Sequence, residues 1–290
     1  MEHRRVLNTP QSTLSNMTYC LGYFVKYLSE QSINSWKQIN QATIKKYQHY
    51  MTLCGYSRAT QKNQIYYVKG LLSFLYEKGI ISTDLASAFQ TPKAVESLPK
   101  NVLTISEVEQ ILQCPDLSSA KGIRDRALLE VIYSSGLRLK ELANLKIDHV
   151  DLDQGLLIVV QGKGAKDRIT PIGEVAVKYL SRYINMTRKN WCSKQPTQYA
   201  LWLSSRFDHL PLTTDALARC IRDIAKQALS KTVSPHAFRH ACATHMLNSG
   251  ASVHHVQKQL GHKSITSTQV YTHLSINDLK QTLSKTHPRK

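Results

Sequence analysis

The last quarter of the chain contains the stretch Ser234-Pro235-His236-Ala237-Phe238-Arg239-His240 and continues through Leu260-Gly261-His262 to Val270-Tyr271-Thr272-His273. Arginine suits a phosphate because its planar guanidinium stays charged and donates parallel hydrogen bonds. Histidine transfers protons near neutral pH, whereas tyrosine, with an ordinary pKa of about 10, attacks only beside positive charge or a base. Together these residue types favour an enzyme that attacks a phosphodiester over a protein that only binds nucleic acid.

The charge of the whole chain points in the same direction. Its 290 residues include 38 lysines and arginines against 20 acidic residues, which gives a formal net charge of +18. Such an excess attracts polyanions, and the basic residues are spread along the chain rather than gathered in a tail. Charge alone leaves one alternative open, a basic protein with another role such as an RNA-associated factor.

Composition also sets an expectation for the compartment. Hydrophobic residues make up 42% of the chain, enough for a folded core. There is no apolar run of about eighteen residues that would predict a membrane span, and the N-terminal segment lacks the apolar stretch of a secretory signal. None of the six cysteines forms a Cys-x-x-Cys pair, which argues against a cysteine-based zinc site and is typical of a reducing compartment. We therefore expect a cytoplasmic, nucleoid-associated protein without membrane contact.

Residues 1–90 predict a small helical domain. Apolar residues recur at helical spacing in three segments, around Phe24, Tyr47 and Leu72. Basic residues stand between the apolar positions and predict DNA binding, although an ordinary solvated helix face would explain them equally well. The candidate DNA contacts in this domain are Lys45, Lys46, Arg58 and Lys62.

Residues 91–103 predict a linker. They contain Pro92 and Pro99 and show no clear period. Proline removes a backbone donor and disfavours helix in the residue before it. A new domain, 104–290, is therefore expected to follow.

The sequence of the domain 104–290 predicts a mixed α/β fold. It opens with the capping box Thr104-Ile105-Ser106-Glu107 and continues into a buried helix over 124–135. Two runs rich in β-branched residues, 156–160 and 169–172, enclose a glycine-rich basic loop and predict an antiparallel hairpin. Further helices are predicted over 214–229, 236–247, 253–260 and 266–274. The expected fold class is mainly α with a small antiparallel β-sheet.

Five stretches in this order resemble the motifs of the tyrosine recombinases of the phage integrase family, and within it those of the Xer recombinases. The matching segments are 135–142 around Arg138, 162–168 around Lys163, 234–245 around Arg239, 260–262 and 268–273. The resemblance extends over the helical N-terminal domain, the linker and the tail, so it spans essentially the whole chain. It implies a helical N-terminal core-binding domain followed by a mixed α/β catalytic domain.

The resemblance implies a role for each matching residue. Tyr271 would be the nucleophile that makes a 3′-phosphotyrosyl bond, and Lys163 would protonate the leaving 5′-oxygen. Arg138 and Arg239 would brace the scissile phosphate, while Glu141, three residues along a helix, would orient Arg138. His236 and His262 would bind the phosphate and help to move the tyrosine proton.

The resemblance implies no metal and no cofactor, because cationic side chains supply the charge that a metal ion supplies elsewhere. Lys166 and Arg168, in the glycine-rich hairpin, are further candidates for contact with the DNA backbone, and a solvated hairpin tip is the alternative for both.

Three other functions are compatible with parts of the sequence. His236 and His240 could hold zinc, but no glutamate follows His236 as His-Glu-x-x-His requires. Residues 253–271 could form a helix-turn-helix, as in a non-cleaving DNA-binding regulator, which leaves Arg138 and Lys163 unexplained. A monomeric type IB-like topoisomerase would share the chemistry, although the C-terminal helix argues against it.

The C-terminal segment predicts a short helix, from the capping box Ser275-Ile276-Asn277-Asp278 and the apolar Leu279 and Leu283. Such a helix is marginal alone and must dock. The resemblance implies docking on a neighbouring protomer, with docking on its own domain as the alternative. It further implies a homo-tetramer or hetero-tetramer on a double-stranded DNA recombination site, with a second recombinase or a DNA translocase as further candidate partners. Xer-like resolution and integration or excision of a mobile element both fit such an enzyme.

Overall fold

The structure, a computed structural model, describes residues 9, 11–90, 102–160, 167–192, 198–206, 208–261 and 276–289, without the side chains of 12 and 276–279. The chain divides into two compact units, Met1–Leu98 and Pro99–Lys290. This division falls in the predicted linker, most of which lies outside the described residues. The assignment of one unit to DNA binding and the other to catalysis stays a prediction. In the described part of the chain, no helix is long and apolar enough to cross a membrane.

The first unit is helical, as predicted. Its described α-helices are α1 (Gln11–Glu30), α2 (Gln41–Leu53) and α3 (Arg58–Glu77), and 3-10 turns lie at Trp36–Gln38 and Ala86–Ala88. Phe24, Tyr47 and Leu72, one from each helix, are buried together in a single core. The three apolar segments of the sequence therefore supply the packing that holds this unit together.

Side-chain caps fix where α2 and α3 begin. Asn40 Oδ1 accepts a hydrogen bond from the Thr43 backbone N–H at 3.0 Å, and Ser57 Oγ accepts one from the Thr60 N–H at 3.1 Å. Caps of this kind satisfy N–H groups that lack a partner within the helix. With these starts fixed, the predicted DNA contacts are exposed on the outer faces of α2 and α3: Lys45, Lys46, Arg58 and Lys62.

The second unit combines helices with a small sheet. Its described helices are α4 (Ile105–Gln113), α5 (Ala120–Ser135), α6 (Leu139–Ala143), α7 (Glu174–Arg182), α8 (Lys189–Trp191), α9 (Thr214–Leu229), α10 (Pro235–Asn248), α11 (Val253–Leu260) and α12 (Ile276–Thr286). The predicted bounds of α9 and α11 are confirmed at both ends, and those of α10 to within one residue. The helix predicted over 266–274 lies outside the described residues.

The sheet has three antiparallel strands in the order β1 (Val150–Asp151), β2 (Leu156–Val159) and β3 (Arg168–Pro171). Ile158 pairs with Ile169, so the predicted hairpin is confirmed. Strand β1 was not predicted, because a strand of two residues is too short to show an alternation of apolar and polar side chains. The predicted loop between β2 and β3 is largely outside the described residues.

Helix α5 forms the centre of the second unit. Leu128, Val131 and Ile132 are fully buried, and α7 and α10 pack on the helix. Its buried charges are paired with each other: Arg124 with Asp125, and Arg126 with Glu130. Charges can be kept away from water only when they are paired in this way. The helix therefore provides a rigid support for whatever follows its C-terminal end.

Two parts of this unit differ from the sequence expectations. Helix α7 and the π-helical segment Tyr183–Arg188 were not predicted. The π segment is held by distant partners, since Tyr183 Oη donates to the Leu201 carbonyl at 2.9 Å and Arg188 Nε to the Ala200 carbonyl at 3.0 Å. Contacts with partners so far along the chain produce no periodic pattern in the sequence, so they could not be predicted from it.

Helix α12 and the tail after it dock on their own unit. The helix packs on β3, α10 and α11, and Leu283 is 3% exposed in the common core. His287 is fully buried, and Arg289 Nε donates to the buried Glu130 carboxylate at 3.1 Å. The single chain thus shows the alternative of own-domain docking, and docking on a neighbouring protomer stays a prediction.

Candidate active site

Arg138 lies in the turn between α5 and α6, where the backbone and one carboxylate fix its position. Gly136 ends α5 in the left-handed conformation, with φ +61°, and its N–H donates to the Ile132 carbonyl. Glu141, in the first turn of α6, accepts from the Arg138 backbone N–H at 2.9 Å and from Arg138 Nη1 at 2.8 Å. The structure therefore brings the predicted pair of Arg138 and Glu141 together.

Arg239 reaches the same turn from α10. Its Nη1 donates to the Gly136 carbonyl at 2.6 Å and its Nη2 to the Leu260 carbonyl at 2.8 Å, while Arg138 Nη2 donates to the Gly261 carbonyl at 3.2 Å. The last carbonyls of a helix lack internal partners and carry the negative end of its dipole. The carbonyls at the end of α11 therefore bind both guanidiniums. We call the site formed by Arg138 and Arg239 the arginine junction.

The arginine junction is electropositive. Burial, followed by the charge of Arg138, lowers the pKa of Arg239 to about 10, so this side chain stays protonated at neutral pH. Burial opposes the ionisation of Glu141, but hydrogen bonds from Arg168 and Arg138 outweigh it and lower its pKa to about 2. The side chain of Arg138 is 41% exposed. The junction can thus present fixed positive charge to an anion such as phosphate.

Arg168, a candidate contact with the DNA backbone, is paired with Glu141 in the structure. At the start of β3, its Nη1 and Nη2 donate to the two carboxylate oxygens of Glu141 at 3.0 and 2.8 Å, and its side chain is 13% exposed. Gly261 lies against this guanidinium, since a Cβ there would be 2.7 Å from Arg168 Nε. The partner of Arg168 stands 27 residues earlier, so local spacing in the sequence gave no signal of this pair.

His236 lies one helical turn before Arg239. Pro235 takes the first position of α10, where its missing N–H removes no helical bond. His236 follows it and is exposed, as is His240. Because His236 and Arg239 are three residues apart in a helix, they lie on the same face of α10. In the described part of the chain, no group of three or more histidine, cysteine or acidic side chains is arranged as a metal site would need.

The other predicted catalytic residues lie outside the described residues. They are Lys163, His262 and Tyr271, together with the candidate DNA contact Lys166. The flanking residues are described: Gly261, which precedes His262, binds Arg138, and Arg168, which begins the strand after Lys163, binds Glu141. The segment that contains Lys163 and the segment that contains His262 and Tyr271 therefore each border a residue that binds Arg138 or its partner Glu141.

The comparisons with known proteins establish the family. The model of the phage integrase family matches residues 101–277. Over 264 residues the chain is 36% identical to tyrosine recombinase XerD of Staphylococcus haemolyticus (strain JCSC1435), an alignment that covers 91% of this chain and 88% of that protein. The chain belongs to the phage integrase family and is a tyrosine recombinase, an enzyme that cuts and rejoins DNA strands at specific sites.

Solved structures share the fold. The crystal structure of XerA recombinase is 28% identical with a TM-score of 0.52, covering 100% of this chain and 96% of that one. A lambda integrase tetramer bound to a Holliday junction is 19% identical with a TM-score of 0.68, covering 93% and 78% of the two chains. The predicted family, fold class and enzyme class are thus confirmed, and the alternative of a non-cleaving regulator is excluded.

Proposed function

We propose that this chain is a Xer-type recombinase whose Tyr271 forms a 3′-phosphotyrosyl bond with DNA. The arginine junction carries the proposal. Arg138 and Arg239 are fixed by backbone carbonyls before any substrate arrives, as preorganised stabilisation of a phosphoryl-transfer transition state requires. The segments that contain Lys163, His262 and Tyr271 resemble the family's motifs and stand in the family's order.

Two transfers of one phosphoryl group complete the reaction. Tyr271 Oη attacks the scissile phosphorus, a tyrosine–phosphorus bond forms, and the bond from phosphorus to the 5′-oxygen breaks. The tyrosine proton passes to His236 or His262, and Lys163 gives a proton to the departing 5′-oxygen. The 5′-hydroxyl of a second strand then attacks the phosphotyrosine and releases Tyr271. Because each bond that breaks is replaced, neither a nucleotide nor another cofactor is consumed.

Each of the two units is proposed to contact the DNA duplex. The first unit would use the exposed basic residues of α2 and α3, namely Lys45, Lys46, Arg58 and Lys62. The net charge of +18 supports contacts with many phosphates. Lys166 remains a candidate contact in the second unit, whereas the ion pair of Arg168 with Glu141 favours a role within the site for that residue.

The active assembly is proposed to be a tetramer on two DNA sites. The similar lambda integrase structure is a tetramer bound to a Holliday junction, which supports this number of protomers. Four copies of this chain, or two copies with two of a second recombinase, would both satisfy it. In either case α12 would dock on a neighbouring protomer, and a DNA translocase is a further candidate partner. Resolution of DNA multimers in the nucleoid and movement of a mobile element are the two biological settings that fit.

Covalent capture tests the proposed nucleophile. The protein is incubated with sheared host DNA, denatured, and recovered with any linked fragments, which are then sequenced beside those from Tyr271→Phe. Fragments that end at one shared sequence, and are absent with Tyr271→Phe, are expected. Adducts that persist in Tyr271→Phe would assign the nucleophile elsewhere. Relaxation of supercoiled plasmid without strand exchange would instead support the type IB-like topoisomerase.

A further inference from the structure

Arg168 connects the hairpin to the arginine junction. It begins β3, the strand that follows the glycine-rich loop, and reaches Glu141 in the first turn of α6 with both terminal nitrogens. Such a bidentate pair fixes the orientation of both partners, because a planar fork meets a planar carboxylate. One side chain therefore sets the position of the strand relative to the turn that contains Arg138.

Glu141 has all its acceptor positions in use. Oε1 accepts from Arg138 Nη1 at 2.8 Å and from Arg168 Nη1 at 3.0 Å, whereas Oε2 accepts from the Arg138 backbone N–H at 2.9 Å and from Arg168 Nη2 at 2.8 Å. Its side chain is 11% exposed, so water cannot replace a lost partner easily. Without Arg168, the carboxylate would be free to turn toward Arg138, and that guanidinium would turn with it.

We propose that Arg168 is a positioning residue for strand cleavage, which holds Glu141 so that the exposed edge of Arg138 stays directed at the scissile phosphate. This inference rests on the proposed roles of Arg138 and Glu141. Arg168 itself would not touch the DNA, because its two terminal nitrogens form a bidentate ion pair with the Glu141 carboxylate, and a phosphate contact would have to break that pair. Gly261 leaves the space that the guanidinium needs.

The first test separates positioning from DNA contact. Arg168→Met and Arg168→Lys are compared with the unchanged protein for DNA affinity at several salt concentrations and for single-turnover cleavage of a nicked duplex that contains the captured site. Cleavage by Arg168→Met is expected to slow about 10- to 100-fold, as for other groups that orient a reacting residue. Arg168→Lys keeps the positive charge but cannot form the bidentate pair with Glu141, so its cleavage rate should lie between those of Arg168→Met and the unchanged protein.

DNA affinity and its salt slope should not change in either variant. A slope reduced by about one unit, with unchanged cleavage of bound DNA, would make Arg168 a phosphate contact and overturn the inference. Arg124→Met is the matched control, since Arg124 is also buried, pairs with Asp125 and donates to the Leu203 carbonyl at 3.0 Å. An equal loss of cleavage in Arg124→Met would show that only general stability is measured.

A double-mutant cycle tests whether Arg168 acts through Glu141. If it does, Glu141→Gln together with Arg168→Met should cleave about as slowly as Glu141→Gln alone. Independent effects that multiply would contradict the inference. Tyr271→Phe and Arg138→Ala are measured in parallel: if these retain cleavage, the proposed function fails, whereas if they abolish cleavage and Arg168→Met cleaves normally, only the role of Arg168 fails.

Discussion

At the residue scale, separation along the chain decides which contacts of the site could be predicted. Glu141 stands three residues from Arg138; the resemblance implied that it orients Arg138, and the helical spacing of the two residues agreed with this. Arg239 binds the carbonyl of Gly136 across 103 residues, and Arg168 binds Glu141 across 27. No spacing rule covers such distances, so the motifs identified the two arginines but predicted neither the carbonyls that bind them nor the pairing of Arg168 with Glu141.

Replacement of either arginine of the junction should slow cleavage much more than it weakens DNA binding. Arg138→Lys and Arg239→Lys keep a positive charge but cannot form the parallel hydrogen bonds of a guanidinium. We expect the single-turnover cleavage rate to fall about 10²- to 10³-fold, the usual effect of losing one preorganised donor. Arg219→Lys, on α9, is the control and should cleave normally. An unchanged rate in both junction variants would remove these arginines from the transition state.

Gly261→Ala should disturb the site through Arg168. The backbone of Gly261 is left-handed, with φ +67°, and an added Cβ would lie 2.7 Å from Arg168 Nε. Gly79→Ala is a matched control, because Gly79 has φ +66° and no atom within 4 Å of the added Cβ. Both variants should lose about 1 kcal/mol of stability from backbone strain, measured as the shift in thermal unfolding. Only Gly261→Ala should also lose cleavage, and equal activity of the two variants would contradict this account of Gly261.

At the element scale, the predictable elements are those whose signals are local. Helix α9 has Thr213 as its cap and a one-sided apolar stripe, and its predicted bounds are confirmed. Strand β1 has two residues, and the π segment after α7 depends on the distant Leu201 and Ala200 carbonyls, so neither was predicted. The docking of α12 also depends on remote partners, which explains why the sequence left two alternatives.

Docking of the tail should weaken in acid because His287 is buried as the neutral imidazole. Its Nδ1 accepts from the Arg289 backbone N–H at 3.0 Å, so Nε2 bears the proton and donates to the Tyr133 carbonyl at 3.2 Å. Burial lowers the pKa of His287 from 6.5 to about 4, and the nearby His245 and Arg289 act in the same direction. The tail also faces Tyr133 and Glu130.

Protonation of His287 favours the released tail over the docked tail. Between pH 6.5 and about 4, the imidazole of a released tail is protonated, whereas that of the docked tail stays neutral. Docking is therefore fully stable above pH 6.5 and loses up to about 3 kcal/mol as the pH falls toward 4. The hydrogen-exchange protection factors of residues 280–289, which are corrected for the slower intrinsic exchange in acid, should fall over this range. His287→Gln, which cannot be protonated, should keep its protection factors, and the same pH dependence in that variant would assign it to another group.

At the scale of the whole molecule, composition was a sufficient guide to the kind of partner but not to the surface that meets it. A net charge of +18 predicted a polyanion, and the family comparison confirmed DNA as the substrate of this class of enzyme. Charge is spread along both units, however, so the sequence alone could not choose a binding face. The basic residues on α2 and α3 are exposed and so available for contact with phosphates.

Salt dependence can decide which basic residues meet the DNA. Each phosphate contact releases a condensed counterion, so its removal lowers the slope of log affinity against log salt by about 0.9. Neutralising Lys45, Lys46, Arg58 and Lys62 to glutamine should therefore reduce the slope by roughly three to four units and weaken binding to all sequences alike. The matched control neutralises exposed lysines elsewhere in the first unit, Lys26 and Lys78. If the change in slope per charge is the same in both sets, net charge alone explains it and the predicted face is wrong. A large change confined to the first set would identify α2 and α3 as the helices that follow the phosphate backbone.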